Sequence, residues 1–217
     1  MLHRACKTIE EAMLVAMEIG TYWGDRDGDA TTDIWFRGAK APYDLLPSAY
    51  RKNIDELSSI TSFNQVVRNM TMTQGFDGWD YYCLARHHGI PTRLLEWTEG
   101  FLQGLFFAFD VWDGSTQPCI WMLRPHCLNK ASVGIEEIFA PGGDEELLGK
   151  ATSLWLTPVS LKNKTVRGHD WSNDNPLAIY PARSNPRIIG QLGTFTIHGV
   201  NRTPLNTLRG PGSDQGK

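Results

Sequence analysis

The sequence lacks any apolar run long enough to cross a membrane. Its 217 residues contain no stretch approaching the roughly 18 uncharged apolar residues that a spanning helix needs. The N-terminal segment is partly apolar, but Glu10, Glu11 and Glu18 interrupt it, which argues against a secretory leader. We therefore expect a cytoplasmic protein that has no membrane partner.

Cysteine is scarce, and its spacing excludes two further classes of protein. The sequence has four cysteines, and no two of them form the closely spaced pair that is typical of zinc sites. Four thiols in a chain of this length are also too few for a disulfide scaffold. We predict no bound metal and no structural disulfide.

The chain has little excess charge of either sign. It carries 21 basic and 24 acidic residues, for a net charge of −3, so general electrostatic attraction to nucleic acid is not expected, although a local basic groove remains open. The standard phosphate loop, the dinucleotide-binding glycine motif, the nucleophile elbow and the zinc-protease motif are missing as well. The function therefore has to be sought in less common motifs.

The apolar spacing predicts helices and short strands that alternate irregularly. Helices are expected over residues 8–20, 54–70 and 79–88, and the stretch 101–109 is apolar on nearly every face, which predicts a buried central helix. Strands are expected near residues 34, 93, 120, 178 and 195. This pattern favours a single α+β domain in which helices pack on a mixed sheet. The expected core residues are Trp35, Leu94, Leu105, Phe106, Ile120, Met122, Phe195 and Ile197.

Composition also suggests where the domain begins and ends. Residues 1–28 are predicted to form an N-terminal helix and loop, and residues 29–205 the main domain. Residues 206–217 are rich in glycine and polar side chains, which predicts a disordered tail.

The first polar cluster is an arginine followed by glycine at the end of the first strand. Arg37 precedes Gly38, a residue that lets another backbone approach closely. A guanidinium suits bidentate contact with a phosphate. A structural ion pair with a carboxylate is the alternative interpretation of Arg37.

The second cluster is the densest and lies at the predicted end of a helix. Histidines at a helix C-terminus interact favourably with the dipole when they are charged, but this does not explain so many polar residues within a short segment. The cluster contains Arg86, His87, His88, Thr92, Arg93, Glu96, Trp97 and Thr98.

The third cluster is a glutamine between glycines. Gln191 follows Gly190 and precedes a predicted strand that begins near Gly193. Such a glutamine is either a turn residue or a side chain whose amide hydrogen-bonds a ribose hydroxyl.

Together these segments resemble the FRG domain, which is named for a Phe-Arg-Gly motif that stands here at residues 36–38. The resemblance continues through LLPSAYR, HHGIPTRLLEWT and LFFA, and then through two late segments around residues 178–181 and 187–199. It spans residues 30–200 or so, in the order typical of a family found in bacterial and phage proteins. Glu96 is a departure, because aspartate is the more usual residue there.

The layout of the three clusters is similar to the split ADP-ribosyltransferase fold. That resemblance implies an enzyme that takes NAD as its substrate, breaks the nicotinamide–ribose bond and transfers ADP-ribose to a macromolecular acceptor, either protein or nucleic acid. It further implies a toxin or antiphage effector, for which a regulatory partner protein is expected.

The resemblance also assigns roles to residues. Arg37, with Gly38, is expected to contact the diphosphate or ribose, and Gln191 to position the ribose. An enzymatic transferase usually needs a carboxylate to activate the acceptor, and Glu96 is the nearest one, so the expected catalytic set is Arg37, Glu96 and Gln191. The expected NAD contacts are Arg37, Gly38, His87, His88, Thr92, Arg93, Trp97 and Thr98.

Two other functions remain open from the residues alone. The domain is either a recognition module that senses a nucleotide or nucleic acid through Arg86, Arg93 and nearby aromatic rings, or a hydrolase or nuclease. The hydrolase hypothesis uses His87 or His88 as general acid or base together with Glu96.

Overall fold

The strands of the protein build one central sheet and one small hairpin. The computed structural model describes residues 4–27, 33–70, 73–110, 112–141, 152–161, 164–166, 168–181 and 186–208. In chain order the strands are Trp35–Ala39 (β1), Leu94–Thr98 (β2), Cys119–Leu123 (β3), Lys164–Val166 (β4), His169–Trp171 (β5), Leu177–Ile179 (β6) and Gly193–Ile197 (β7). The central sheet has the order β3-β1-β2-β7-β6, and β4 pairs with β5.

The central sheet is antiparallel, which corrects the mixed sheet that we expected. Each of its four strand pairs is antiparallel. In chain order, β2, β3 and β6 all run opposite to β1, and β7 returns to the direction of β1, so that strands of the same direction are never neighbours in the sheet. A parallel contact occurs as the isolated bridge between Phe139 and Ile179, at the β6 edge.

The helices surround this sheet and confirm the α+β class. They are Ile9–Asp27 (α1), Ser48–Arg51 (α2), Glu56–Val67 (α3), Gly78–His87 (α4), Phe101–Phe109 (α5), Pro125–Val133 (α6) and Pro186–Gly190 (α7), with 3-10 turns at Ser153–Leu156 and Leu205–Thr207. Within the described residues, no helix is both long and apolar enough to cross a bilayer.

Two helix boundaries show how local sequence sets the fold. Helix α4 begins with a capping box, in which Asp80 N donates to Asp77 Oδ1 at 2.8 Å and Asp77 N donates to Asp80 Oδ2 at 3.1 Å. Helix α1 continues through Gly20, where we expected it to end. A glycine inside a helix costs only about 1 kcal/mol, and a Cβ at Gly20 would lie 3.0 Å from Ile34 Cδ1, so the glycine allows close packing.

The end of the domain also lies later than we predicted. Leu45 N donates to Asn206 Oδ1 at 2.8 Å, and Leu205 is buried. Residues 206–208 therefore belong to the packed domain rather than to a tail. The rest of the predicted tail, and the predicted boundary at 28–29, involve residues outside the described ranges.

Apolar residues pack on both faces of the central sheet. One face carries Leu94, Phe195 and Ile197, and the other carries Trp35 and Trp97. These residues confirm much of the predicted core. Leu105, Ile120 and Met122 are half-buried.

Phe106 is a correction to the predicted core, because 60% of it is exposed. Helix α5 packs one face on the sheet, through Gly104 and Ala108, and turns its other face to solvent. Helix α5 has apolar residues on every face, but only the face that packs on the sheet is buried.

Gly38 is where β1 and α5 make their closest approach. A Cβ at Gly38 would lie 1.9 Å from Gly104 O and 2.4 Å from Ala108 N. These are main-chain atoms, so they cannot rotate away. The glycine of the Phe-Arg-Gly motif therefore has a packing role that is sufficient to explain it.

Replacing Gly38 by alanine should lower the free energy of unfolding by about 1–3 kcal/mol, because α5 has to move away from the sheet. Gly190, the last residue of α7, is the matched control, since nothing lies within 4 Å of a Cβ there. Urea denaturation measures both variants. Equal stability of Gly38→Ala and Gly190→Ala would contradict the close contact.

Candidate functional site

The candidate site lies where β1 and β2 separate. The main-chain groups of odd-numbered residues along β2 hydrogen-bond towards β7. The residues at either end of the strand show this alternation, since His198 N donates to Arg93 O at 2.9 Å and Glu99 N donates to Leu192 O at 3.0 Å. The main-chain groups of Glu96 consequently point the other way, towards β1. There the Arg37 side chain reaches across, and its Nη1 donates to Glu96 O at 2.6 Å. The sheet thus brings the first and second sequence clusters together.

The carboxylate of Glu96 is held by a second arginine. Arg86, near the end of α4, donates from Nε to Glu96 Oε1 and from Nη2 to Oε2, both at 3.1 Å. Arg86 Nη1 also lies 3.4 Å from Ser48 Oγ. A two-bond contact of this kind fixes the orientation of a carboxylate, while half of the Glu96 side chain remains exposed to solvent.

The charges around Glu96 are predominantly positive. The pKa of Arg37 is lowered to about 10, mainly by burial and also by the positive charges of Arg86 and Arg51, while the negative charge of Glu96 acts in the opposite direction. Arg37 therefore stays charged at neutral pH. The guanidinium groups of Arg37, Arg86 and Arg51 outnumber the single carboxylate of Glu96, so the site has net positive charge, which suits an anionic ligand such as a diphosphate.

Arg93 is a core residue rather than the NAD contact that we expected. It is fully buried, and its Nε donates to Glu56 Oε2 at 2.6 Å. Its Nη1 donates to His198 O at 3.1 Å and its Nη2 to Trp155 O at 2.5 Å. These contacts occupy the guanidinium of Arg93 inside the core of the domain. Thr92 is likewise fully buried.

Trp97 and Thr98 also have partners inside the protein. Trp97 is 4% exposed and its Nε1 donates to Thr196 Oγ1 at 3.0 Å. The Thr98 hydroxyl donates to Gln191 O at 2.7 Å and accepts from Gly100 N at 3.1 Å. Thr98 and Gln191 therefore meet, but through the main chain of Gln191 and with the hydroxyl of Thr98 already bonded on both sides.

The two histidines lie at the exposed end of α4. Their rings are 5.6 Å apart, and the His88 ring is 5.8 Å from that of Phe63. Both directly follow Arg86 in the chain, so they adjoin the Arg86–Glu96 pair. The carboxylate of Glu96 accepts hydrogen bonds from Arg86 rather than from a histidine. This weighs against the histidine–glutamate pair of the hydrolase hypothesis.

Sequence reasoning missed Ser48 and Arg51 as members of the site and gave Arg86 only to the recognition-module hypothesis. The first two belong to the LLPSAYR segment, which had already entered the family resemblance. The segment could have indicated site residues, because it belongs to the motifs of the resemblance, but only the fold shows that it lies beside β2.

The geometry thus defines an α+β domain with an exposed arginine–glutamate site at the separation of two sheet strands. A family model described as the FRG domain matches residues 32–116. That range runs from the start of β1 past α5 and contains Arg37, Arg86 and Glu96. Residues 32–116 of the chain are therefore similar to the FRG domain, as the motifs predicted.

The other comparisons give no relatives. No curated protein and no solved structure matches the chain. The resemblance to the ADP-ribosyltransferase fold consequently stays a prediction.

Proposed function

We propose that this domain binds NAD at the site formed by Arg37, Arg86 and Glu96 and cleaves the bond between nicotinamide and ribose. The observation that carries the proposal is the contact between the Arg37 guanidinium and the main-chain oxygen of Glu96 on the neighbouring strand, at 2.6 Å, which brings the two residues together. Arginine recognises diphosphate, and a half-exposed carboxylate can face a sugar ring. These two groups are what such a reaction needs most.

The chemistry assigns a role to each charged group. The bond from the ribose C1′ to the nicotinamide nitrogen breaks and its electron pair leaves with nicotinamide, so positive charge develops on the ribose. The carboxylate of Glu96 stabilises that charge, while Arg37 and Arg86 hold the diphosphate. An acceptor nucleophile then bonds to C1′ and loses its proton to Glu96 or to water.

The neighbouring residues complete the proposed site. Gln191, which is partly exposed, is a candidate contact for the ribose, and His87 and His88 are candidate contacts at the open side. The acceptor is a macromolecule, and the cellular role that suits this reaction is that of a toxin or antiphage effector.

A recognition module without turnover is the second candidate. Arg86 engages both carboxylate oxygens of Glu96, and a carboxylate so paired is a weaker base. In this alternative the three arginines bind a nucleotide and Glu96 only orients them.

Calorimetric titration with ADP-ribose tests the binding step that both candidates share. Arg37→Ala should weaken binding at least about 10-fold, because a charged hydrogen bond contributes about 1.5–3 kcal/mol. Arg4→Ala removes the same charge from an exposed residue before α1 and should bind like the wild type. Equal affinity of the wild type and Arg37→Ala would contradict the site.

A further inference from the structure

Basic side chains continue from the arginine–glutamate site onto α2. Arg86 Nη1 lies 3.4 Å from Ser48 Oγ, and Lys52 N donates to Ser48 O at 3.1 Å, so Lys52 follows Ser48 one turn later. Residues three and four apart share one face of a helix, which places Arg51 and Lys52 on the side of α2 that adjoins the site. The positive charge of Arg51 also lowers the pKa of Arg37, which agrees with this placement.

Arg202 extends the positive charge past the end of α2. Asn53 directly follows Lys52, and its Oδ1 accepts a hydrogen bond from Arg202 Nη1 at 3.2 Å. The Arg202 guanidinium also lies over the ring of Tyr50, 5.1 Å from its centroid, and the Tyr50 hydroxyl donates to Gly199 O. These contacts hold an exposed guanidinium beside α2.

The contacts join five cationic side chains into one basic surface, which consists of Arg37, Arg51, Lys52, Arg86 and Arg202. One carboxylate, that of Glu96, forms an ion pair with this surface. Three acids that flank its segments, Asp44, Asp55 and Asp174, direct their carboxylates to Asn206, Ser58 and Ser160. The chain as a whole has a net charge of −3, so the positive charge here is a local feature and not a consequence of composition.

The chemistry of this surface favours a nucleic acid over an acidic peptide. A guanidinium forms two parallel hydrogen bonds with a phosphate, and a polymer with a phosphate in every unit engages several cations at once. An exposed guanidinium such as that of Arg202 can also stack on an unpaired base, a contact that a peptide carboxylate does not offer. A single strand fits better than a duplex, because enzymes that act on a base take it out of the stack.

We propose that the basic surface binds single-stranded nucleic acid and presents it as the acceptor of ADP-ribose. The binding step depends on the basic surface alone, whereas the acceptor role rests on the proposed function. In the transfer, a hydroxyl or amino group of the nucleic acid bonds to C1′ of the ribose, and the bond from C1′ to nicotinamide breaks with its electron pair. The proton of the acceptor group goes to the carboxylate of Glu96 or to water.

Fluorescence anisotropy with a labelled single-stranded oligonucleotide tests the binding step. The probe has a mixed sequence of about 20 nucleotides, which exceeds the 4–16 or so that one compact domain covers. Lys52→Gln and Arg202→Gln should each weaken binding about 5-fold at about 0.1 M salt, and each should lower the salt slope by about 0.7, the value for one phosphate contact of a single strand.

Lys130→Gln is the matched control for these variants. It removes the same charge from α6, where Lys130 is 62% exposed, and it should leave the affinity within about two-fold of the wild type. Equal losses in all three variants would show that only the net charge matters, and would overturn the proposal. Wild-type protein that shows no salt-dependent binding of the oligonucleotide would overturn it as well.

Transfer from NAD labelled on its adenylate phosphate identifies the acceptor. With wild-type protein and a cell extract, the label should enter material that nuclease digests and protease does not. Label that only protease removes would overturn the nucleic-acid acceptor and leave the proposed function intact. Reactions that release no nicotinamide would contradict the proposed function, and the oligonucleotide titration would then still decide the binding step.

Discussion

Replacing Glu56 by glutamine should lower the free energy of unfolding by about 3–5 kcal/mol, because it leaves the charge of Arg93 unpaired inside the domain. The two side chains are 6% and 0% exposed, and Arg93 Nε lies 2.6 Å from Glu56 Oε2. Water cannot replace the lost carboxylate at this depth. The cost is therefore much larger than that of an exposed pair.

The same carboxylate joins several elements. Tyr82 of α4 donates its hydroxyl to Glu56 Oε1, and Arg93 N donates to the same oxygen at 2.7 Å. Burial raises the pKa of Tyr82 well above its usual value, so the hydroxyl keeps its proton and remains a donor. Arg93 extends the network to His198 at the end of β7. Loss of Glu56 should loosen α3, α4 and the central sheet together.

Urea denaturation of Glu56→Gln beside Glu136→Gln measures this effect. Glu136 also pairs at 2.6 Å, with Lys130, but these side chains are 45% and 62% exposed. Removing that pair should cost no more than about 1 kcal/mol. Similar losses in the two variants would show that the Arg93–Glu56 pair is not buried as described.

Replacing Glu96 by glutamine should slow nicotinamide release from NAD by about 10²–10⁴-fold. The amide keeps the size of the side chain and one acceptor for Arg86, but it removes the negative charge that faces the ribose in the transition state. The affinity for ADP-ribose should change little in comparison. A large fall in kcat with a small change in binding is what separates a catalytic carboxylate from a structural one.

Glu18→Gln is the control for this variant, since it removes an exposed carboxylate from α1. It should release nicotinamide at the rate of the wild type. If Glu96→Gln is as fast as Glu18→Gln, then Glu96 is not the catalytic group, and Gln191 or a residue of the acceptor would have to take its place.

Much of the fold could be predicted because local patterns carry it. The apolar runs near residues 120 and 195 became β3 and β7, and the helix predicted over residues 79–88 became α4. The direction of the strands was not predictable in the same way, since it depends on how long connections return to the sheet. Exposure of Phe106 also escaped prediction, because the sequence of α5 does not show that only one of its faces meets the sheet.

The candidate site was predictable in part. The motifs indicated Arg37 and Glu96, and the separation of β1 and β2 brings them together. Arg93 looked like a ligand contact because its own neighbourhood is polar, but its partner Glu56 lies 37 residues earlier in the chain. The residues next to Arg93 in the sequence do not indicate that a partner so distant along the chain pairs with it inside the core. The same holds for Thr98, whose hydroxyl is used by the main chain of Gln191.

Nicotinamide release from NAD by the purified wild-type protein is the most direct test of the central claim, that Arg37 and Glu96 form a catalytic site. Chromatography would follow the release over time at a NAD concentration that saturates the site. We predict steady release in proportion to the protein concentration, with water as acceptor when no macromolecule is present, and loss of that release in Arg37→Ala. Saturated protein that releases no nicotinamide, with or without a cell extract as a source of acceptors, would contradict the claim and leave the domain as a recognition module.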